Sequence, residues 1–368
     1  MKYMKMAAIA MMALALFSCN KKDEPKKPEN AVLRICINDS ELRALGAGYA
    51  NGDKTECMTD VVLTLDNGVT IKLENQDLKD AKDLDKGYTK EVNFAVNTVA
   101  LTANGTVDND TKIIDLQGKD LKTQIPLEAK ATAVTTTTEN GQTVYSVTLS
   151  PVPHVARVEV FGKIEPKPTN GKQAFKSITV EQVYINNYLP TRAAAKRTLC
   201  VTNGKDGFKT APETAMTDEI KAADLDEFVA GTKVAGYQLF PIKEGEATGT
   251  EFYDHVILKI KIEYTDEAIA AKPELKKMTE RFVTMVKFVD ATANSAIASF
   301  EAGKIYKLNL KDLSDDFKTG NDGTPDPKNP DTPDPEPNAK RLLNVKVESF
   351  TWKAVNIKPD VNNNGYKK

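Results

Sequence analysis

Two histidines and one tryptophan in 368 residues leave little material for acid–base, metal or stacking chemistry. His154 follows a proline and His255 opens an apolar alternating run, so both are expected to serve structure. The four cysteines show no CxxC or Cys/His spacing, which argues against zinc. GxSxG, HExxH, Walker and GxGxxG patterns are missing from any strand–turn–helix setting. Asp108-Asn109-Asp110 and the aspartates between 315 and 322 lack the ligand spacing of an EF-hand. Adjacent Asp315-Asp316 suits a solvated loop, not a poised carboxylate pair. No catalytic residue, metal ligand or cofactor is assigned, and the chain is expected not to be an enzyme. Fifty Lys and Arg against 52 Asp and Glu give a formal charge of −2, which offers no basic face to nucleic acid. The apolar run from Met6 to Leu16 falls well short of the roughly 20 residues that a bilayer span needs.

What is present begins with that run. Lys2 and Lys5 precede it, and Leu16-Phe17-Ser18-Cys19 close it: a basic start, an apolar centre and a small residue before a cut. The pattern marks an export leader over residues 1–18. A cysteine directly after the small residue resembles the lipobox of bacterial lipoproteins, which implies that Cys19 becomes an acylated N-terminus held at the outer membrane. Residues 19–30 are rich in Lys, Asp, Glu and Pro without apolar periodicity, and read as a flexible tether.

From residue 31 the chain reads as all-β, two tandem β-sandwich domains with a few short helices. Leu33, Ile35 and Ile37 alternate with Val32, Arg34 and Cys36, giving a first strand with one fully apolar face. A glycine-bearing loop over 40–54 follows and contains Leu42-Arg43-Ala44-Leu45. Strands are expected at 61–65 and 69–73 around Asp66-Asn67-Gly68, then at 92–101, 113–116, 125–127, and at 131–138 and 143–149 around the hairpin turn Glu139-Asn140-Gly141-Gln142. A helical or irregular patch is expected at 75–86. Pro151 and Pro153 mark a junction between a first sandwich over 31–152 and a second over 153–317. The second is expected to carry strands at 155–160, 177–186, 198–202, 237–241, 255–264, 282–289 and 304–310, with a surface helix at 214–229. Strands at about ten-residue spacing with Gly and Asn turns indicate sandwiches.

Cys36 and Cys57 are the only remaining cysteines close in sequence, and an exported chain permits their pairing. The alternative is buried free thiols. Cys200 reads as a strand position in the core.

Composition changes over residues 318–341, where Thr-Pro-Asp-Pro occurs twice and apolar side chains nearly vanish. Prolines favour an extended arm of about 3.1 Å per residue, so some twenty residues reach on the order of 60 Å. Beyond it, over 342–368, comes an orphan strand and a polar tail. Leu343, Val345 and Val347 alternate with polar residues, and Phe350, Trp352, Val355 and Ile357 follow with a phase shift near Ser349. The arm is expected to carry this strand away from its own body.

These two ends make one argument. A strand alone leaves backbone groups and an apolar face unsatisfied, and a sheet that loses a strand has the complementary defect. If residues 31–43 are cut off after Arg43, the last strand of another copy can fill the vacancy by strand addition. A head-to-tail contact of this kind builds an open filament.

The lipobox, Leu33-Arg34-Ile35-Cys36-Ile37 before an Arg-Ala loop, Val155-Ala156-Arg157-Val158-Glu159-Val160, and Leu343-Asn344-Val345-Lys346-Val347 with Trp352 and Val355 together resemble the fimbrillin family of type V pili. The resemblance implies two transthyretin-like sandwiches exported as a lipoprotein, and an arginine-specific protease that removes the first strand. It implies Arg43 before the cut, Ala44 as the new N-terminus and 342–358 as the donor strand. Partners implied are copies of the chain, other pilus subunits and the outer membrane through Cys19, with a cell-adhesion role and an extracellular fimbrium as destination. The residues identify no host receptor or glycan. An anchor subunit that keeps its first strand, or a glycan-binding surface lipoprotein, are the alternative readings.

Overall fold

Alternation of apolar and polar residues sets the strands, and the loss of that alternation ends them. The structure, a computed structural model, describes residues 31–38, 58, 60–117, 125–165, 174–199, 201–204, 207–210, 216–242, 254–277, 279–290, 295–297, 299–313, 343–351 and 356–357. The first half contains β1 (Ala31–Ile37), β2 (Val61–Leu65), β3 (Thr70–Leu73), α1 (Asn75–Lys82), β4 (Tyr88–Val92), β5 (Thr98–Ala103), β6 (Leu127–Ala133), β7 (Thr135–Glu139), β8 (Gln142–Leu149) and β9 (Val152–Pro153). The second begins with β10 (Ala156–Phe161), β11 (Phe175–Asn186), β12 (Val201–Gly204), β13 (Gly207–Thr210), β14 (Thr217–Glu219), α2 (Leu225–Ala230) and β15 (Ala235–Leu239). It continues with β16 (His255–Tyr264), α3 (Asp266–Ala271), β17 (Glu280–Asp290), β18 (Ala296–Ile297), β19 (Lys304–Asn309), β20 (Leu343–Thr351) and β21 (Asn356–Ile357). Strands dominate, as expected for all-β sandwiches.

In the first half a sheet of order β4-β1-β8-β7 faces one of order β3-β2-β5-β6-β9. Inward residues of both sheets form one apolar cluster, including Leu33, Ile35, Leu63, Leu101 and Leu149. Asn140-Gly141, both at positive φ, turns β7 back onto β8 as the sequence predicts. In the second half the order is β14-β11-β16-β17-β20-β19-β10-β15, with β18 on β17 and β21 on β19. Its cluster takes side chains from β10, β11, β16 and β17, and also Val107, Ile113 and Leu116 from the first half of the chain.

Several local expectations change. Residues 113–116 form a 3-10 turn, not a strand; Ile113 and Leu116, three apart, are both buried on its inner side. The expected strand over 92–101 divides into β4 and β5. Of the helix expected over 214–229, the described residues form a strand at Thr217–Glu219, a 3-10 turn at Ala222–Asp224 and a short α-helix from Leu225. Ladder bonds from Ile185 N to the Met216 carbonyl and from Ile220 N to the Glu181 carbonyl draw 217–219 onto the edge of β11. Tertiary pairing there overrides helix propensity, and only Leu225–Ala230 is α-helical.

The last strand also lies elsewhere than expected. β20 does not stand off its own body: its first part runs parallel to β17, with Val345 opposite Phe288. Its end runs antiparallel to β19, with Phe350 opposite Ile305. The switch of partner falls between Val347 and Ser349, where the apolar phase of the sequence shifts. The reason is a seat left open in its own domain. In the first half β6 passes into β7, which covers the outer side of β8. In the second half β18 folds back onto β17 instead, leaving the corresponding side of β19 to β20.

Candidate functional site: the seat of the first strand

β1 is internal to its sheet. It pairs antiparallel with β4, Leu33 opposite Lys90, and parallel with β8, Leu33 opposite Tyr145. Ala31, Leu33, Ile35 and Ile37 are each 0% exposed, so the expected apolar face fills the core completely. At about 25 cal/mol per Å² of apolar surface, such side chains stabilise a fold by roughly 1.5–3 kcal/mol each before entropy is counted. Asn38 N donates to the Leu149 carbonyl at 2.8 Å and closes the far end of the ladder.

The outer face of β1 is only half-buried at Val32, Arg34 and Cys36. Arg34 reaches across β8 and donates two bonds to the Glu139 carboxylate of β7, at 3.1 and 2.9 Å. That pairing holds the Glu139 carboxyl below its ordinary pKa and raises that of Arg34. Cys36 is a free thiol whose Sγ lies 3.7 Å from the Leu84 carbonyl. Burial pushes the thiol's pKa up, so the reactive thiolate is disfavoured. Gly87, at φ +69, leads into β4 directly over this face. A Cβ there would stand 3.0 Å from both Arg34 Cγ and Cys36 Sγ. The residue must be glycine both for its backbone and for that approach.

Of the residues singled out from sequence, Leu33, Ile35 and Ile37 meet in this seat. Leu343, Val345, Val347 and Phe350 lie on β20, and Ile357 on β21. Cys19, Arg43, Ala44, Cys57, Cys200, Trp352 and Val355 lie outside the described residues. Sequence reasoning missed Glu139 and Gly87. The only signal for Glu139 is that it is the single charge in the run 135–139, beside the Asn-Gly turn. For Gly87 nothing local marks the approach to a strand fifty residues earlier.

His154 is partly buried and His255 buried. His154 Nε2 sits 3.2 Å from a Glu128 oxygen, and burial lowers its pKa. His255 is buried beside Arg197, itself paired with Asp254 at 2.9 Å. Among the described residues no group of three or more His, Cys, Asp and Glu is arranged to hold a metal. Among those residues no helix is long and apolar enough to cross a membrane.

No family model matches this chain, and no curated protein sequence matches it. Solved structures do. One is a cell-adhesion candidate from Bacteroides eggerthii, 16% identical, covering 88% of this chain and 95% of that one with a TM-score of 0.39. A second, a cell-adhesion candidate from Parabacteroides distasonis, is 12% identical over 77% of this chain and 92% of its own, with a TM-score of 0.43. The tip fimbrial protein Mfa3 from Porphyromonas gingivalis, with C-terminal truncation, is 9% identical over 76% and 94%, with a TM-score of 0.36.

Proposed function

We propose that this chain is a structural stalk subunit of a cell-surface fimbria. It is exported as a lipoprotein on Cys19, cut after Arg43 by an arginine-specific protease, and polymerised by strand exchange between copies. It supports adhesion as a filament and carries no catalytic role. One observation carries the reading: β1 is internal to its sheet yet first in the described fold, followed by a connection that contains Arg43. One cut in that connection detaches it covalently. Its departure exposes ladder edges on both β4 and β8 and four apolar sites in the core. Such a slot is filled by another strand of the same pattern, which residues 343–351 supply. β20 leaves its own seat between β17 and β19 when it enters the next copy, and the contact repeats head to tail.

Brief digestion of the purified precursor with an arginine-specific protease tests the proposal. The product should begin at Ala44 and form SDS-resistant ladders. A chain ending before Leu342 should be cut normally and remain monomeric; ladders formed by that shortened chain would sink the exchange reading. The complete pairing of β1 on both sides also favours a second reading, an anchor subunit that keeps its strand and its lipid. N-terminal sequencing of assembled fibres separates the two, since an anchor begins at Cys19 and a stalk subunit at Ala44.

A further inference from the structure

The slot left by β1 is uneven along its length, and that unevenness selects a direction for its occupant. This step rests on the exchange reading above. From one end to the other the four closed sites hold Ala31, Leu33, Ile35 and Ile37: one small side chain, then three large ones. The alternating positions of the last strand are Leu343, Val345, Val347 and Ser349, large ones first and a small one last. Run in the direction of β1, the segment puts Leu343 on the alanine site and Ser349 on the Ile37 site. Shifted by two, it brings Arg341 to the alanine site, which is 0% exposed, so a charge would be taken out of water there. Run in the opposite direction, Ser349 meets the Ala31 site, Val347 and Val345 the Leu33 and Ile35 sites, and Leu343 the Ile37 site. Volume-conserving replacement is what cores tolerate best.

The outer face is compatible with this register, and Lys346 meets the Arg34 position in either unshifted direction. Lys346 falls on the Arg34 position, opposite Ser146 of β8 and Thr89 of β4. There it replaces the cation that Glu139 loses when β1 leaves, where Arg34 now lies 2.9 Å from the carboxylate. Asn344 falls on the Cys36 position, beneath Gly87, and Glu348 on the Val32 position.

We infer that the incoming strand of a second copy runs opposite to β1, antiparallel to β8, with Lys346 facing Glu139. Cysteine pairs read the direction directly. Cys36 is opposite Thr148 and Val32 is opposite Val144. In full-length chains carrying Ser at Cys36, Cys57 and Cys200, the pair Asn344→Cys with Thr148→Cys should give covalent multimers after cleavage and oxidation. Glu348→Cys with Val144→Cys should do the same. Asn344→Cys with Val144→Cys and Glu348→Cys with Thr148→Cys should not. The reverse pattern, or ladders in which no pair closes, overturns the inference while leaving strand exchange standing. Failure of the parent chain to form ladders overturns the exchange reading itself, and the inference with it. For the charge contact, Lys346→Glu should slow ladder formation several-fold and Glu139→Lys should restore the rate. No rescue in the double variant overturns the Lys346–Glu139 pairing.

Discussion

β1 and β10 hold equivalent positions in the two sandwiches. Each pairs antiparallel with a middle strand of its half, β4 or β15, and parallel with a late one, β8 or β19. Tyr145 opposite Leu33 corresponds to Tyr306 opposite Val158. The inner faces are alike, and the outer faces are not. On β1 the outward residues are half-buried and the guanidinium of Arg34 reaches an exposed carboxylate. On β10 both faces are closed: Arg157 is 0% and Glu159 5% exposed, bonded to each other at 2.8 Å, with Lys307 3.9 Å from Glu159. Gly236 of β15 lies under that guanidinium, where any Cβ would stand 2.3 Å from a guanidinium nitrogen. A strand sealed on two faces is held by its ladders and by buried side chains on both faces; β1 is held by its two ladders and by the buried side chains of one face. The same fold position is therefore sealed on two faces in one half and on one face in the other, which is the difference that the exchange proposal draws on.

The sharpest break of this comparison is Arg157→Ala. It leaves Glu159 buried without its main partner, and breaking a buried pair typically costs about 3–5 kcal/mol. Urea unfolding should show that loss in the second sandwich. On β1 the comparable loss requires the inner face. Ile35→Ala removes a side chain that is 0% exposed and should cost the first sandwich about 2–5 kcal/mol. A cost below 1 kcal/mol would mean that the core collapses around the vacancy, and that β1 is not what keeps its seat closed.

How much of this was legible beforehand depends on which residues face each other. The alternation of Leu33, Ile35 and Ile37, the turn at Asn140-Gly141 and the phase shift near Ser349 are local patterns, and each corresponds to an observed feature. The seat of β20 was not legible, because it follows from β18 folding back onto β17 beside β19, and nothing near 343 reports that. The 3-10 turn at 113–116 escaped because Ile-Ile-Asp-Leu is apolar enough for a strand. Only its contact with β15 decides the matter. Arg157 and Glu159 were visible as opposite charges two apart in an apolar strand, a same-face pattern that signals a buried pair when read as one.

Mild acid should separate the halves next. Burial, with Arg197 alongside, pushes the His255 pKa down to about 4 from 6.5. Above pH 6.5 the imidazole is neutral in both states and the stability is complete. As the pH falls from 6.5 toward 4, the unfolded chain takes up a proton that the folded one refuses. The second sandwich should then lose up to about 3 kcal/mol. His154, at the junction and less buried, shifts in the same direction. The variant His255→Gln isolates the larger share: its unfolding free energy should fall less between pH 7 and pH 4.5 than that of the parent. An unchanged slope would assign the acid sensitivity to other groups.

The junction gives a smaller effect. The Gln117 side-chain amide donates to the Gln238 carbonyl at 2.8 Å and accepts from the Gln238 N–H at 2.9 Å. It thus serves as one residue of strand along the outer edge of β15, and ties the first half of the chain to the second. Gln117→Ala leaves buried backbone groups without that partner and should cost about 1–3 kcal/mol. If the two halves melt together in the parent, this variant should begin to separate their transitions.

The smallest expected effect sharpens the contrast most. Arg34 and Glu139 are 35% and 46% exposed at their side chains, and water competes for both. Exposed pairs contribute little, because Coulomb attraction in high dielectric barely exceeds the entropy of fixing two long side chains. Arg34→Ala should therefore leave the melting temperature of the precursor unchanged within error, whereas Arg157→Ala, on the outer face of the equivalent strand, should lower it clearly. On the exchange proposal the same Arg34→Ala chain should be cut and assembled at the parent rate, since there Arg34 leaves with β1 before the next strand arrives. A measurable loss of precursor stability would mean that the outer face of β1 contributes to its retention. The distinction between a one-sided and a two-sided strand would then no longer support the proposal that only the first is released.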